Sequence, residues 1–409
     1  MPGPDPDALL QRFSELPAAG PLLERLGDVD RVYLVGGAVR DLLLGGSPLD
    51  LDLVVDGELA PVTGLLGTPM RSHDRFATCT VVLDGFTYDV ARARRETYAQ
   101  PGALPTVGPA SIQEDLLRRD FTVNALALGL GGECRGCLLQ APGGLGDLDA
   151  RRLRVLHDGS FFDDPTRLLR LARYAGRLGF VIEPRTLQLA TAAAGRRVTD
   201  TVSGERLGAE LRLLAAEPDP VAAARALAEM GVDAAIAPGF GIRTREAAEL
   251  AERALALLPS DGDRGAVVLA VAAMRLAPAA QAQLLDRLAF PSQQRDVVLA
   301  AAGRARKLAQ TMLQTRTPSE IAAAARGAPV ELVALAGALG AERQAHRWLD
   351  ELRHVRLEID GRDLLDAGMA QGPAVGTGLA RALAAKLDGW ATGRDAELAE
   401  ALRTPDGTG

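Results

Sequence analysis

The segment from residue 32 to residue 55 constrains the fold of this chain more than any other, and it reads VYLVGGAVRDLLLGGSPLDLDLVV. An apolar run at its start ends in the double glycine Gly36-Gly37, and a second apolar run carries Asp50 and Asp52. Because alternate residues of a strand point to the same face, the two carboxylates should project together. The segment therefore predicts two strands, with a glycine turn after the first and a pair of acids on the second.

These residue types, in this order, suit phosphate chemistry. Two neighbouring carboxylates repel each other unless a cation lies between them, and Mg²⁺ binds one or two carboxylates together with phosphate oxygens. A double glycine lets backbone N–H groups approach an anion without a Cβ in the way, and Arg40 adds a fixed positive charge. The pattern Asp-x-Asp is common by chance, but its combination with the glycine turn is specific. The segment therefore contains the parts of a nucleotidyl-transfer site.

Asp89 is a candidate third acid. Two strand-like runs, Thr78–Leu83 and Phe86–Ala91, flank Asp84-Gly85, which is typical of a two-residue hairpin turn. If the second arm pairs beside the strand that carries Asp52, Asp89 joins the catalytic acids. If it does not, Asp89 is a solvated strand residue, and spacing alone leaves both alternatives open.

The remaining segments differ in character. Residues 92–117 are rich in Arg, Pro and Gly and are predicted to be a loop, and residues 131–150 are predicted to be irregular. From Arg151 onward, the composition shifts to Ala and Leu with few β-branched runs, which favours helices. Predicted helices include Pro165–Leu178, Pro184–Ala194, Gly204–Ala215, Pro220–Met230 and Thr244–Leu257, with several more up to Leu402.

Composition limits the class of protein. A chain of 409 residues, of which 47% are hydrophobic, should fold into two to four domains. The sequence shows neither an apolar stretch of about 20 residues, which a membrane helix requires, nor a basic and apolar leader. We therefore expect a cytoplasmic protein with no membrane contact, and its three cysteines fit a reducing compartment.

The charge is ambiguous about a nucleic-acid partner. A net charge of −7 argues mildly against one. Of the 46 basic residues, however, all but Lys307 and Lys386 are arginines, which bind phosphate in a bidentate fork and stack on bases. A general preference of the genome for Arg over Lys explains this equally well. RNA binding is compatible with the net charge if arginines gather on one face.

Asp163-Asp164-Pro165 opens a predicted helix, and an acid before a proline is typical of a helix N-terminus. One interpretation is that an aspartate only caps the helix. However, Asp164 and Arg167 share a helix face. An acceptor beside a forked donor can read adenine or cytosine, whose exocyclic amine lies next to a ring nitrogen. Guanine and uracil would leave buried groups unpaired, so the pair could select the base without a template.

Cys134 and Cys137 form a single Cys-x-x-Cys pair. A structural zinc site needs four ligands, and the sequence offers no second pair. We therefore interpret both residues as ordinary thiols.

Taken together, these motifs resemble those of the class II tRNA nucleotidyltransferases and bacterial poly(A) polymerases. VGGAVRDLLLG followed by DLD is similar to the first motif of the family, RRDFTVNALAL to the second, and DDPTRLLRLARYAGRLGF to the neck motif. SGERLGAEL resembles the motif that supports the neck helix through Glu205 and Arg206. Ile359–Leu383 resembles the tail region of many bacterial members.

The resemblance implies roles for individual residues. Asp50 and Asp52 would hold the catalytic Mg²⁺ ions, and Asp89 stays the candidate third acid. Asp164 and Arg167 would take the role of base selection. The residues that would bind the nucleotide and its triphosphate are Gly36, Gly37, Arg40, Arg118, Arg119, Asp120, Asn124, Asp164, Arg167, Arg170 and Arg173.

The implied fold class is α+β: a polymerase-β-like nucleotidyltransferase head with a small mixed β-sheet, followed by an all-α neck, body and tail. The expected boundaries are 1–27 for an N-terminal helix, 28–150 for the catalytic head, 151–215 for the neck that selects the base, 216–345 for an RNA-binding body and 346–409 for a tRNA-binding tail.

The implied activity is template-independent addition of CMP and/or AMP, from CTP and ATP, to the 3′ end of tRNA. The alternatives are an enzyme that adds only CC or only A, a poly(A) polymerase, and an RNA-binding descendant without catalysis. Residues 92–117 leave room for the flexible loop of members that add the final A. Arg343, Arg347, Arg353 and Arg356 are predicted either to contact the tRNA backbone or to lie on solvated helix faces.

Overall fold

The computed structural model describes residues 5–67, 69–73 and 77–403. The chain divides into two compact units. The first comprises the residues up to Glu210 together with Glu229–Ile236, and the second comprises Leu211–Ala228 together with the residues from Ala237 onward. The five-part division derived from the sequence is finer than this, and it stays a prediction.

Two short helices replace the single helix predicted for residues 1–27. They are α1 (Pro6–Ser14) and α2 (Ala19–Leu26). The break between them contains Pro17, whose missing N–H interrupts the helical hydrogen bonds. Residues 1–4 of the predicted helix lie outside the described part of the chain.

Strands concentrate in the part of the first unit that follows these helices. In chain order they are β1 (Val32–Val35), β2 (Leu51–Val55), β3 (Pro69–His73), β4 (Thr78–Leu83), β5 (Phe86–Arg92), β6 (Arg94–Thr97), β7 (Thr106–Pro109), β8 (Leu126–Gly129), β9 (Leu138–Gln140), β10 (Arg152–Leu153) and β11 (Val181–Ile182).

The order of the main sheet places the acid-bearing strand β2 in its interior. Within the described residues, seven strands pair in the order β3-β4-β5-β2-β1-β8-β9. β2 is antiparallel to β1 and parallel to β5, so the sheet is mixed, as predicted. β4 and β5 form the predicted hairpin. Its turn residues Asp84 and Gly85 have φ angles of 51° and 84°, which match the positive values that a type I′ turn requires.

The helices that accompany the strands are mostly short. After α1 and α2 they are α3 (Gly37–Leu43), α4 (Leu59–Leu66), α5 (Ile112–Leu117), α6 (Gly144–Asp149), α7 (Ser160–Asp163), α8 (Thr166–Leu178), α9 (Pro184–Gly195), α10 (Gly204–Ala215), α11 (Pro220–Glu229) and α12 (Val232–Ile236).

Two segments that were predicted to lack regular structure have it. Residues 92–117, predicted to be a loop, form the hairpin β6–β7 and helix α5, and residues 131–150 contain β9 and α6. Composition did not predict this hairpin, because ion pairs, rather than an apolar face, stabilise it. The carboxylate of Glu96 forms ion pairs with Arg94 at 3.1 Å and with Arg118 at 2.8 Å, and its side chain is largely buried.

The helical predictions beyond residue 150 are confirmed. The five helices with explicit bounds agree with α8, α9, α10, α11 and α13 (Arg245–Leu257) to within one residue at each end. The other helices of the second unit are α14 (Arg264–Ala273), α15 (Pro278–Arg287), α16 (Ser292–Leu313), α17 (Pro318–Ala324), α18 (Val330–Ala336), α19 (Glu342–Asp350), α20 (Gly361–Asp366), α21 (Pro373–Leu387) and α22 (Arg394–Leu402). Across the described residues, no helix has the length and apolar character that a membrane span needs.

Candidate active site

A polar cavity of about 410 Å³ lies within the first unit. Its walls come from the turn before α3, strand β2, the hairpin β6–β7, the segment that follows α5, and α8 with the residues just before it. Among the described residues that line it are these predicted ones: Gly36, Gly37, Asp52, Arg118, Arg119, Asp120, Asn124, Asp164, Arg167 and Arg170. The four predicted residues Asp50, Asp89, Arg40 and Arg173 do not line this cavity.

The glycine turn makes room for a side chain. Gly36 has a φ angle of 73°, a value that residues with a Cβ rarely adopt, and it precedes the first residue of α3. Its N–H donates to the carbonyl of Leu126 at 3.0 Å, so this group belongs to the sheet and is not available to a phosphate. A Cβ at Gly36 would lie 3.0 Å from Nη1 of Arg119. The glycine is therefore needed for the arginine to approach the backbone.

Arg40 does not fulfil the role predicted for it. The residue is 1% exposed, and its Nη1 donates to Oδ1 of Asn124 at 2.6 Å. Its Nε donates to Asp41 at 2.8 Å, and its guanidinium carbon lies 5.5 Å from the centre of the Tyr174 ring. The structure therefore does not support the predicted contact of Arg40 with the triphosphate. Arg40 supports Asn124 and Tyr174 from behind the cavity wall.

The acids Asp52 and Asp89 lie side by side. They are register partners on the parallel strands β2 and β5. The second arm of the hairpin therefore pairs beside the strand that carries Asp52, which is the condition for Asp89 to be a third acid. Asp52 is solvent-accessible at the edge of the cavity, and Oδ1 of Asp89 accepts the hydroxyl of Thr80 at 2.7 Å. Asp50 precedes the first residue of β2 and is exposed, so it lies at the end of the strand and not within it.

The electrostatics of this pair favour a cation. Desolvation raises the pKa of Asp52 above the ordinary carboxyl value, and the charges of Asp89 and Asp50 raise it further, while Arg119 partly opposes them. Asp52 lines both the first cavity and a neighbouring one of about 390 Å³, which Asp89 also lines. Asp52 therefore lies at the junction of two cavities, and Asp89 lies on the side of the second.

The donor set fits a hard divalent ion that a substrate helps to coordinate. Among the residues that the structure describes, no group of three or more His, Cys, Asp or Glu side chains could enclose a metal without other ligands. Mg²⁺ is usually bound by one or two carboxylates, with waters and substrate phosphates completing its coordination. Two adjacent carboxylates beside a polar cavity meet that requirement.

A buried carboxylate behind the wall holds the two arginines that follow α5. Oδ1 of Asp115 accepts from Nη2 of Arg118 at 2.6 Å, and its Oδ2 accepts from Nη2 of Arg119 at 3.0 Å. Arg118 also donates to Glu96 at 2.8 Å, and Glu96 in turn accepts the hydroxyl of Tyr98 at 2.8 Å. These contacts fix both arginines at the wall of the cavity.

Asp120 and Asn124 brace the wall. Oδ1 of Asp120 accepts from the N–H of Phe121 at 2.8 Å and from Nδ2 of Asn124 at 3.1 Å, and its Oδ2 accepts two hydrogen bonds from Arg170 at 2.8 and 2.5 Å. Burial tends to raise the pKa of Asp120, but Arg170 and Asn124 lower it below the usual range. The arrangement favours a permanently charged, rigid carboxylate.

Tyr174 lies at the centre of a group of arginines. The guanidinium carbons of Arg40, Arg170 and Arg173 lie 5.5, 5.8 and 5.9 Å from the centre of its ring. Arg173 donates to Glu210 at 2.7 Å and does not line the cavity, so its predicted contact with the nucleotide is not supported. Its role in this structure is to hold the tyrosine and α10 together.

Asp164 and Arg167 lie at the same cavity, as the hypothesis of base selection requires. Oδ1 of Asp164 accepts from the N–H of Thr166, the first residue of α8, at 3.1 Å, while Pro165 occupies the N-cap position. Arg167 is 6% exposed, and it donates to Oγ of Ser160 at 2.7 Å and to the carbonyl of Arg118 at 2.7 Å. The pair is therefore held rigidly before any nucleotide binds.

One of the two supporting residues predicted in the segment 203–211 is confirmed as a contact. Nη2 of Arg206 donates to Asp164 at 3.0 Å, and its Nη1 donates to the carbonyl of Gly102 at 3.1 Å. Glu205 is exposed, and the structure does not support the contact predicted for it. Glu210, five residues further along α10, contacts Arg173 of α8 instead.

Sequence reasoning missed several residues that organise the site, among them Asp115, Glu96, Tyr98 and Tyr174. One signal was available: Asp115 stands three and four residues before Arg118 and Arg119, the spacing at which helical side chains meet. Glu96 and Tyr98 come from the hairpin read as a loop, so nothing in the local pattern identified them.

The second unit holds the four arginines predicted to contact tRNA. Arg353 forms two hydrogen bonds of 2.8 Å with Asp261 and one of 2.7 Å with the carbonyl of Leu349. Arg347 lies 3.8 Å from Glu351. A role of these arginines in RNA binding stays a prediction, and for Arg353 it requires exchange of an existing ion pair.

Comparison with known proteins places the chain among nucleotidyltransferases. A family model described as the poly(A) polymerase head domain matches residues 32–154. The CC-adding tRNA nucleotidyltransferase of Deinococcus radiodurans is 37% identical over 384 residues, which are 92% of this chain and 90% of that protein. The chain belongs to the tRNA nucleotidyltransferase family. Members of this family generally use a divalent metal.

Two further likenesses bear on the family. The A-adding tRNA nucleotidyltransferase of Geobacter sulfurreducens is 33% identical over 92% of this chain, but the chain spans 45% of that protein's length. The structure of the Thermotoga maritima CCA-adding enzyme complexed with tRNA matches with a TM-score of 0.78 and 28% identity, over 98% of both chains. The α+β fold class, with a mixed sheet in the head and helices beyond it, is confirmed.

Proposed function

We propose that this protein adds CMP and/or AMP, from CTP and ATP, to the 3′ end of tRNA without a nucleic-acid template. One observation carries the proposal: Asp52, the register partner of Asp89, lines a cavity whose other walls include the arginines after α5 and the Asp164–Arg167 pair. A protein that only binds nucleotides has no need for paired acids there. A transfer reaction needs the acids, an anion site and a base site together.

Mg²⁺ held by Asp50 and Asp52, with Asp89 beside them, would supply positive charge that favours ionisation of the RNA 3′-hydroxyl and neutralises the departing pyrophosphate. The raised pKa of Asp52 supports this assignment, because desolvation and the charges of Asp89 and Asp50 raise it more than Arg119 lowers it. Arg118 and Arg119 would bind the triphosphate with two fixed positive charges.

Base selection would rest on Asp164 and Arg167. Adenine and cytosine offer an amine to a carboxylate and a ring nitrogen to a guanidinium, whereas guanine and uracil offer a carbonyl where the amine should be. The rigidity of the pair supports this role, because a fixed donor and acceptor cannot rearrange to satisfy the wrong base.

Transfer RNA is the acceptor that the relatives support. The Deinococcus and Geobacter proteins are named tRNA nucleotidyltransferases, and the structure of the Thermotoga enzyme is a complex with a tRNA. We assign the residues after about 216 to RNA binding, with the predicted body and tail as its parts. The cytoplasmic location expected from composition belongs to the same proposal.

Addition of CC alone is the second candidate. The Deinococcus relative, which the chain matches over 90% of its length, is named a CC-adding enzyme. The Geobacter relative is named A-adding, but the chain spans less than half of it. Both products fit a site that accepts cytosine and adenine.

The test is an extension assay with four purified tRNA transcripts, which end before CCA, after C, after CC and after the complete CCA. CTP and ATP are given singly and together with Mg²⁺, and the products are sized to one nucleotide. A full CCA enzyme completes the three shorter transcripts, a CC-adding enzyme stops after the second C, and an A-adding enzyme extends only the transcript that ends in CC. Long A-tails identify a poly(A) polymerase. The proposal fails if no transcript is extended under any condition.

A further inference from the structure

We propose that Asp115 is a positioning residue: from behind the cavity wall it fixes the guanidinium groups of Arg118 and Arg119 toward the phosphates of the incoming nucleotide. This inference rests on the proposed function and assigns a role to a residue that does not itself line the cavity. It makes α5 the element that aims the anion-binding charges.

Asp115 is surrounded by donors. The residue is fully buried, and its Oδ1 accepts from Nη2 of Arg118 at 2.6 Å, from Nε of Arg118 at 3.0 Å and from the backbone N–H of Arg94 at 3.1 Å. Its Oδ2 accepts from Nη2 of Arg119 at 3.0 Å. Both oxygens of one carboxylate are thus occupied by the two arginines of the motif, and the same carboxylate ties them to the start of β6.

Both arginines are also exposed to the cavities on the other side of the wall. Arg118 and Arg119 both line the two cavities that meet at Asp52. Nε of Arg119 is buried and has no hydrogen-bond partner among the described residues. A buried guanidinium N–H without an acceptor is costly, and an oxygen of a bound phosphate would satisfy it. This unpartnered group supports an anion-binding role for Arg119.

Charge alone predicts the opposite effect of Asp115. Its carboxylate lowers the net positive charge around the anion site, so a purely electrostatic view expects its removal to tighten binding of a triphosphate. A positioning role expects removal to weaken binding, because two long side chains released from their partner must be ordered again by the ligand. The sign of the change therefore separates the two interpretations.

The experiment compares Asp115→Asn with the wild-type protein. Asparagine keeps the shape but removes the charge and turns a donor toward Arg119. We measure the Kd for CTP with Mg²⁺ by calorimetry and the KM for CTP in single-nucleotide addition to tRNA. The expected result is an increase of about tenfold or more in both Kd and KM, with kcat changed less than KM. Tighter binding, or an unchanged Kd, would overturn the proposal.

A variant in the same helix controls for loss of structure. Ser111 caps α5 by accepting from the N–H of Glu114, and it contacts neither arginine. Ser111→Ala should lower the melting temperature while leaving the Kd for CTP unchanged. An equal increase in Kd for both variants would show that only the stability of α5 matters, and would reject positioning by Asp115.

Two further outcomes keep the tests separate. If Asp115→Asn does not fold, Asp115→Glu carries the test, since it keeps the charge but displaces it, and it should raise Kd to a smaller extent. An unchanged Kd for that variant would reject the proposal. If the wild-type protein binds CTP but extends no RNA, the proposed function fails, and the calorimetric comparison still decides the role of Asp115.

Discussion

Asp52 on β2 and Asp89 on β5 are directly paired across two parallel strands. Adjacent strands lie about 5 Å apart, so two carboxylates at paired positions on one face repel strongly. A fold tolerates such a pair when a ligand uses it, and here desolvation and the second carboxylate raise the pKa of Asp52. The pairing therefore supports the proposal that a cation completes this site.

Loss of the acids should remove activity without loss of the fold. Asp50→Ala and Asp52→Ala should each reduce nucleotide addition by about a thousandfold or more, because the metal loses a ligand. Circular dichroism and thermal unfolding should show an intact fold in both. A well-folded double variant that still extends tRNA at the wild-type rate would reject the metal assignment.

The same repulsion predicts a gain in stability for Asp52→Asn. The pKa of Asp52 is raised in the folded state, so its ionised form destabilises the fold above that pKa, and the penalty disappears as the pH falls below the pKa of the unfolded chain. Without metal, Asp52→Asn should therefore melt at a higher temperature than wild type at neutral pH. The two proteins should converge in acid, and a constant difference at all pH values would contradict this explanation.

Acid and metal should compete at the site. Because protonation of Asp52 begins at a higher pH than for an ordinary aspartate, the rate of addition should decline as the pH falls toward that raised pKa. A higher Mg²⁺ concentration should move the decline to lower pH, since the metal competes with the proton. Chelation with EDTA should abolish the reaction, and added Mg²⁺ should restore it. A pH midpoint that is independent of Mg²⁺ would exclude Asp52 as the titrating ligand.

The choice of base should depend on Arg167 and, to a smaller extent, on Arg206, which holds Asp164 in place. Arg167→Ala should reduce the preference for CTP and ATP over GTP and UTP by about tenfold or more, as well as slow the reaction, because the ring nitrogen loses its donor. Arg206→Ala should reduce the preference to a smaller extent, since Arg206 contacts Asp164 at 3.0 Å and not the base.

Competition assays with all four nucleotides measure both effects. Arg177→Ala, an exposed position on the same helix as Arg167, and Glu205→Ala, beside Arg206, are the matched controls and should leave the preference unchanged. An unchanged preference in Arg167→Ala would reject selection by side chains.

The sequence predicted the parts of this site that motifs and periodicity encode. The acid Asp52 on its strand, the hairpin that carries Asp89 and the helix that begins at Thr166 follow from spacing along the chain, whereas the pairing of Asp52 with Asp89 was left open by spacing. Glu96 was out of reach because the hairpin that carries it is stabilised by ion pairs with residues distant in sequence, which no local pattern reveals.

The sequence motifs also did not predict which arginine side chains are buried. Arg40 and Arg173 belong to motifs rich in phosphate-binding residue types, but the fold turns both toward acceptors within the protein. Composition and spacing state that an arginine is present. They do not show whether the arginine faces the cavity or lies behind its wall, because that depends on the packing of α3 and α8 around Tyr174.

Asp120 should differ from Asp52 by contributing to stability as well as to activity. Its carboxylate accepts hydrogen bonds from Phe121, Asn124 and Arg170, and it is largely buried. Asp120→Ala leaves the Arg170 charge without its partner, so the free energy of unfolding should fall by about 3 kcal/mol. Asp120→Asn keeps the shape and two of the contacts, and it should cost less.

Because the pKa of Asp120 is lowered in the folded state, its contribution to stability is present above the pKa of the unfolded chain and is lost as the pH falls through the lower, folded value. Urea unfolding of wild type and Asp120→Asn at neutral and acid pH measures this, and the two curves should approach each other in acid. A stability difference that grows in acid would show that the Asp120–Arg170 pair is not the source.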